Sequence, residues 1–505
     1  MGQVFQHILD AIPLLLAPMT ILAMIGGTAI GIAVGALPGL SATMGIAVLI
    51  PLTFTMSPVA ALGMIAGIYN GAMYGGSIPA ILLRIPGTPA GVATVFDGYP
   101  MAQKGQANLA LRISLVSSSI GSAVSAVALL VLAPPLSMIA LKFSAANYFW
   151  LAIFGMMTIA VLLSSNPVKG LLSAGFGLFV GMIGIDMLTG IERFAFNRLE
   201  LLSGVDIIVL LTGLYAIPPA IDLALSPIKT DTDVRPAQQG DTVRFRWSSL
   251  IPVWIKASLI GVITGIIPAL GGNVAALFAW NEQRRSDPDK EKYGKGAPEG
   301  IAAPECANNA DTAATLIPAL TLGIPGSSVA AVILGALLVH GLVPGPQLFR
   351  ENADITYGFM LAMLVTSGLM LLLGRFGARA FVNVLKMPPQ LLAPMIFILA
   401  TVGVYAIHNS MFEVWMMLGF GILGYFMEKL NIPTAPAVLA VILGPIAEEN
   451  LRRALLISNN GVIGIFQGTI SIILIVLILA TTVLPILNRL MSRNKREAVA
   501  AGSQE

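Results

Sequence analysis

Cysteine, histidine and charge are all scarce in this chain. The single cysteine, Cys306, excludes an internal disulfide, and with no motif around it reads as a small packing residue. Of the three histidines, His340 and His408 have no metal-ligand partners at useful spacing. Only 10% of the 505 residues are charged, against roughly 25% in soluble domains, which excludes a soluble globular fold. The net charge of +3 does not point to nucleic acid; it reflects Lys and Arg at loop ends, which orient helices in a bilayer. The sequence has no HExxH, no Walker A lysine, no GxSxG elbow and no paired-aspartate motif. It therefore carries no ATPase of its own. The ten-residue alternating segments of a membrane β-barrel are also missing.

What is there is apolar: 56% of the residues are hydrophobic. Runs of about 20 such residues recur from end to end, each long enough for a ~30 Å hydrocarbon core. The expected fold is all-α and polytopic. Apolar helical segments are predicted near 10–36, 40–56, 58–83, 107–133, 148–165, 169–188, 204–224, 250–268, 270–281, 301–322, 326–345, 355–374, 390–407, 411–430, 433–446 and 461–488. Several are too short to span, so about 11–14 crossings are expected, with half-helices among them. The N-terminal run has no preceding Lys or Arg and is too long for a signal-peptide core, which predicts an uncleaved first helix.

Two stretches broken by glycine and proline are related to each other. IGIAVGALPGLSATMGIAVL (30–49) matches IGVITGIIPALGGNVAALFA (260–279) at an offset of 230 residues. NGAMYGGSIPAILLRIPGT (70–88) matches NADTAATLIPALTLGIPGS (309–327) at an offset of 239. A charged insertion, residues 281–300, accounts for the difference. The expected organisation is a first repeat half (1–226), a hydrophilic linker (227–249), a second repeat half (250–488) and a cytoplasmic tail (489–505). The tail assignment rests on Arg489, Arg493, Lys495 and Arg496. Neither hydrophilic stretch is long enough to be a folded domain, so any soluble substrate capture is expected from another chain.

Paired interruptions of this kind point to a transporter's substrate site. Pro86-Gly87-Thr88 and Pro325-Gly326-Ser327-Ser328 should each end one helix and begin another. A helix start exposes free N–H groups and a positive dipole end, and the hydroxyls add donors. That chemistry suits a carboxylate, although a plain surface loop would read the same in one copy alone. Upstream of the breaks, Asn70, Ser77, Asn308, Asn309, Thr312 and Thr315 are polar residues in apolar surroundings. Asn oxygens and freed carbonyls suit a sodium ion near broken helices; interhelical hydrogen bonding is the plainer alternative. Gly27, Gly31, Gly35 and Gly39, like Gly63, Gly67, Gly71 and Gly75, bare one helix face for close packing or for sliding.

Among the ionisable residues, Glu305 and Asp311 are the best coupling candidates, because a carboxylate inside a membrane is costly. Asp97 falls in Asp97-Gly98-Tyr99-Pro100, which reads as a surface turn. Asp186, Asp206 and Asp222 fall near helix ends and read as interfacial. Arg84 could meet an anionic substrate or snorkel to the interface.

Residues 69–82 with Pro86-Gly87, then DGYPMAQKG (97–105), resemble the large permease of tripartite tricarboxylate transporters. So do GAPEGIAAPECANNA (296–310), Gly323 to Ser327 and HGLVPGP (340–346). The resemblance runs from Gly31 to about Pro445, with one departure at Asp311–Ala314, where the family more often has small residues. It implies a multi-pass subunit of the bacterial inner membrane, not an enzyme. It also implies a small membrane subunit and a periplasmic substrate-binding protein as partners, and uptake of citrate-like or related carboxylates. No cofactor is expected beyond sodium or a proton as coupling ion. The alternatives are an intramembrane enzyme using Glu305 and Asp311, and a passive anion channel.

Overall fold

The computed structural model describes residues 2–162, 166–186, 189–225, 245–268, 270–384, 389–458 and 461–482, the side chains at 2–3, 378–384 and 389–390 excepted. The expected tail and most of the expected linker (227–244) lie outside the described residues. In chain order the helices are α1 (Gly2–Leu15), α2 (Pro18–Ala36), α3 (Ala42–Thr53), α4 (Pro58–Gly75), α5 (Ser77–Leu83), α6 (Gly91–Met101) and α7 (Ala107–Ala140). Next come α8 (Ala145–Leu162), α9 (Pro167–Gly181), the two short strands β1 (Gly184–Ile185) and β2 (Glu192–Arg193), and α10 (Ile207–Leu225). Then follow α11 (Ile251–Ile266), α12 (Gly271–Ser286), α13 (Pro298–Ala314), α14 (Leu316–Leu322), α15 (Ser328–Val339) and α16 (Leu348–Glu351). The last are α17 (Ala353–Val384), α18 (Pro389–His408), α19 (Met411–Lys429) and α20 (Ala435–Ile457).

Eight described stretches are long and apolar enough to cross a membrane. Five shorter apolar helices, among them Ala42–Thr53 and Ser328–Val339, are too short to cross ~30 Å alone. Proline and serine punctuate the chain. Pro18, Pro58, Pro167 and Pro298 each occupy the first position of a helix, where a missing N–H costs nothing. Ser41 and Ser327 cap α3 and α15, each accepting a backbone N–H at 3.2 Å.

The chain forms two compact units. The first comprises Met1–Leu141 and Ile207–Tyr425. Its α13 is surrounded by α7, α11 and α12, and α2 lies along α4. A core including Ile32, Tyr74, Met101, Ile113, Ile301 and Met370 runs through these helices. The glycine stripes are the α2–α4 seam. A Cβ on Gly27, Gly31 or Gly35 would sit 2.2, 2.4 or 2.1 Å from the carbonyl oxygens of Met64, Ile68 and Ala72. Backbone therefore touches backbone, which is how helices gain packing when lipid removes the hydrophobic drive. Gly39 lies outside the seam, in the loop after α2, with φ +90°.

Positions paired in the sequence share backbone geometry. Leu37 and Ile267 end α2 and α11 in extended conformation, with φ/ψ −85°/115° and −82°/118°. Arg84 and Gly323 end α5 and α14 in the left-handed region, with φ 60° and 73°. At Arg84 that conformation costs roughly 1–2 kcal/mol, a cost glycine avoids.

The second unit comprises Lys142–Asp206 and Phe426–Glu505. There α20 packs on α8 and α9, and Gly177 meets the backbone of Ala437. Strands β1 and β2 pair antiparallel. Asp186, read from sequence as interfacial, is buried here. Its carboxylate binds Arg193 at 2.6 Å and Arg452 at 3.0 Å, and both arginines also hold Glu448. An unpaired buried carboxylate would be costly, and two guanidinium groups remove that cost.

Two described helices, α6 and the single-turn α16, fall outside the predicted segments. The DGYP sequence, a turn signal, lies within α6 and not in a surface turn. Asp97 is fully buried because the loop from residue 287 to 297 needs an acceptor. Its Oδ1 accepts the N–H groups of Gly294, Gly296 and Ala297 at 2.8–3.0 Å, and its Oδ2 accepts from Trp280 Nε1 at 2.9 Å. Four donors outweigh the local preference of Asp-Gly for a turn.

Candidate functional site

The polar face of α13 organises the middle of the first unit. Pro298 opens α13 and Pro304 lies inside it, and from Gly300 to Ala314 every residue is buried. Each polar side chain must then find a partner or be left unsatisfied. Most find one. Glu305 accepts from Ser118 at 2.9 Å, from Ser114 at 3.3 Å and from Thr94. Asn309 accepts from Ser122 at 3.1 Å and donates to the Glu305 carbonyl at 3.2 Å. Asn70 donates to Met363 O and Thr366 Oγ1 at 3.0 and 2.9 Å and accepts from Thr312 at 3.1 Å. Ser77 donates to Tyr74 O and accepts from Ser114 at 2.6 Å. Asn70, Ser77 and Asn309 thus tie helices α4, α7, α13 and α17 together.

Asn308 and Asp311 differ. Asn308 reaches Met73 O only at 3.5 Å with its amide, and its Oδ1 is buried without a partner. Asp311 Oδ1 is likewise buried and unpartnered, over Gly265, with the Gly272 amide beside the carboxyl group. Both side chains are therefore turned to the start of α12. Glu305 and Asp311 do not face each other: the first is held by α7 serines, the second lies on Gly265 and Gly272. No acid/base pair forms.

Around that place three helix starts meet. Ser328, at the start of α15, lies 3.5 Å from Thr43 at the start of α3. Ser327 lies 4.0 Å from where a Cβ on Gly271, the first residue of α12, would stand. The Tyr69 hydroxyl faces Ser327. Glycine is favoured at 271, where φ is +63°.

The two breaks are built alike. Gly87 packs on the Gly35 carbonyl and on Gly76; Gly326 packs on the Gly265 carbonyl and on Thr315. Thr88 Oγ1 and Thr315 Oγ1 are both buried and unpartnered. Pro325 is buried, whereas Pro86 is exposed. No hydrogen bond among the described residues joins 86–88 to 325–328.

Tyr69, Thr43 and the α7 serines were not singled out in the sequence. The serines had a signal: Ser114, Ser118, Ser122 and Ser125 recur every three or four residues in an apolar helix. All four bond to α13, Ser125 by accepting the Ala314 N–H at 2.8 Å. At the N-terminal end of α13 the loop from 287 is pinned by its own charges. Burial lifts the Asp287 carboxyl, yet bonds from Lys292, the Tyr293 hydroxyl and the Asp289 amide outweigh it and hold the group below its usual range.

These features define an all-α, multi-pass membrane protein with broken helices meeting inside one unit. Residues 21–439 match the tripartite tricarboxylate transporter TctA family, and the chain belongs to it. It is accordingly a transporter and not an enzyme. An uncharacterized 52.8 kDa protein in the TAR-I ttuC' 3'region of Agrobacterium vitis is 35% identical over 485 residues, 96% of each chain. A second uncharacterized protein, in the TAR-II ttuC' 3'region of the same organism, is 35% identical over 240 residues, 47% of this chain and 98% of that one. No solved structure matches.

Proposed function

We propose that this chain is the large inner-membrane permease of a binding-protein-dependent secondary transporter, importing tricarboxylates or related carboxylates on a cation gradient. The observation that carries the reading is the meeting of the starts of α3, α12 and α15. Each start offers free N–H groups and partial positive charge, and Thr43, Tyr69, Ser327 and Ser328 add hydroxyls. Thr88, buried with an unpartnered hydroxyl, supplies a donor at the first break. The tripartite nature of the family supports a periplasmic binding protein and a small membrane subunit as partners.

Asp311 gives coupling a physical reason. A substrate carboxylate at the start of α12 would meet an ionised Asp311 already there. Two like charges about 4 Å apart repel by roughly 4 kcal/mol at an effective dielectric of 20, about a thousandfold in affinity. A proton on Asp311, or a sodium ion shared with Asn308 Oδ1, removes that repulsion. Substrate and cation then bind together or not at all. The shared backbone geometry at Leu37 and Ile267, and at Arg84 and Gly323, supports two structural repeats; in this proposal they are inverted in topology, and a substrate-bearing region moves against a scaffold.

The test is citrate uptake into proteoliposomes holding the permease, the small subunit and the binding protein, under separate Na⁺ and H⁺ gradients. Ser327→Ala should raise the KM for citrate at least tenfold. Full uptake by Ser327→Ala protein that has reached the membrane would remove the site.

A further inference from the structure

An open cavity of about 760 Å³ lies between α6 and α12, beside the first break. Its wall holds two arginines, Arg84 and Arg284, with Tyr99, Gln103, Trp280 and Asn281. Nothing in the central site uses it.

Neither arginine has a counter-ion among the described residues. The acids nearby are engaged: Asp97 by three backbone amides and Trp280, Glu282 by Arg285, and Asp287 and Glu299 by Lys292. Each guanidinium is held on an aromatic face, Arg84 at 5.8 Å from the Tyr99 ring centre and Arg284 at 5.7 Å from that of Trp280. Stacking orders the planar group while leaving its N–H edge free for a carboxylate. Arg84 also occupies a left-handed backbone position whose partner in the second stretch is Gly323. Glycine would relieve that strain, so position 84 carries an arginine against the local conformational preference. Snorkelling alone would ask only for a long cationic chain, which needs no strained position and no ring beneath it.

We propose that this cavity is a vestibule that captures a small polycarboxylate through Arg84 and Arg284 before it enters the central site. The inference rests on the carboxylate-carrier reading but is tested apart from it. Its volume falls in the range of roughly 300–1,000 Å³ that small ligands occupy. Two separated positive groups favour di- and tricarboxylates over monocarboxylates, because a single carboxylate engages only one of them.

The experiment treats the permease in zwitterionic-lipid nanodiscs with phenylglyoxal, a guanidine-selective reagent, and follows each arginine by peptide mass spectrometry. Citrate should slow modification of Arg84 and Arg284 at least fivefold, while acetate or chloride at equal ionic strength should not. Equal rates with and without citrate would overturn the proposal. So would protection by anionic-lipid nanodiscs without citrate, which would make the pair a headgroup anchor. In reconstituted uptake, Arg84→Gln and Arg284→Gln should each raise the KM for citrate roughly tenfold with kcat kept. Arg84→Lys should recover little, and Arg84→Gly should fold at least as well as the native chain while showing the same KM defect. Unchanged KM in all variants would overturn the vestibule while leaving the carrier reading intact. Protection by citrate with no uptake in any gradient would do the reverse.

Discussion

Asp97 illustrates how far a local signal reaches. Asp-Gly-Tyr-Pro favours a turn, but three backbone donors and an indole from residues 183–200 positions away hold the carboxylate inside a helix. The donors at Ala297 and Trp280 are buried, and leaving each of them unsatisfied costs about 1–3 kcal/mol. Asp97→Ala should therefore lower stability by more than 3 kcal/mol, read as a fall in the melting temperature of the purified protein. Asp97→Asn should lose less, since its carbonyl can still accept at the Oδ1 position. Equal melting of the Ala variant and the native protein would show that the loop is held by something else. The same contrast separates the polar residues of α13 and Asn70 of α4. Glu305, Asn309 and Asn70 are bonded to neighbouring helices, whereas Asn308 and Asp311 keep bare oxygens. Sequence could mark all five as polar in apolar surroundings, but it could not say which were already satisfied.

At the scale of elements, breaks and seams were legible and their partners were not. Proline, glycine and capping serine are local instructions, so the ends of α2, α5, α11 and α14 fell where the sequence placed them. The glycine stripes announced a close approach without naming the other helix. The approach proves to be mutual, α2 against α4, with gaps too narrow for a methyl group. Gly35→Ala should push these backbones apart and cost about 1–3 kcal/mol by overpacking. Gly26→Ala, on the same helix with open space around its Cβ position, is the control and should be neutral or mildly stabilising. Thermal unfolding in detergent compares the two. The helix α6 was missed because its turn-like sequence and Pro100 hide a helix that its packing on α5, α7, α12 and α13 supports.

At the scale of the whole molecule, coupling through Asp311 is open to direct measurement. If Asp311 repels substrate until a cation arrives, Asp311→Asn should bind citrate without one. Exchange of internal for external citrate should then persist, while accumulation against a concentration gradient is lost. Gradient-driven accumulation by the Asn variant at the native level would end Asp311's role. Composition and apolar run length by themselves determined that this is a helical protein of the membrane, because burial in lipid needs little more than an unbroken apolar surface and internally satisfied backbone. Repetition of the broken segments was likewise readable as letters. The meeting of α3, α12 and α15, the two stacked arginines, and the split of α13 into bonded and open polar groups were decided only by tertiary structure. Each depends on which distant residue stands opposite, and no periodicity along one helix carries that information.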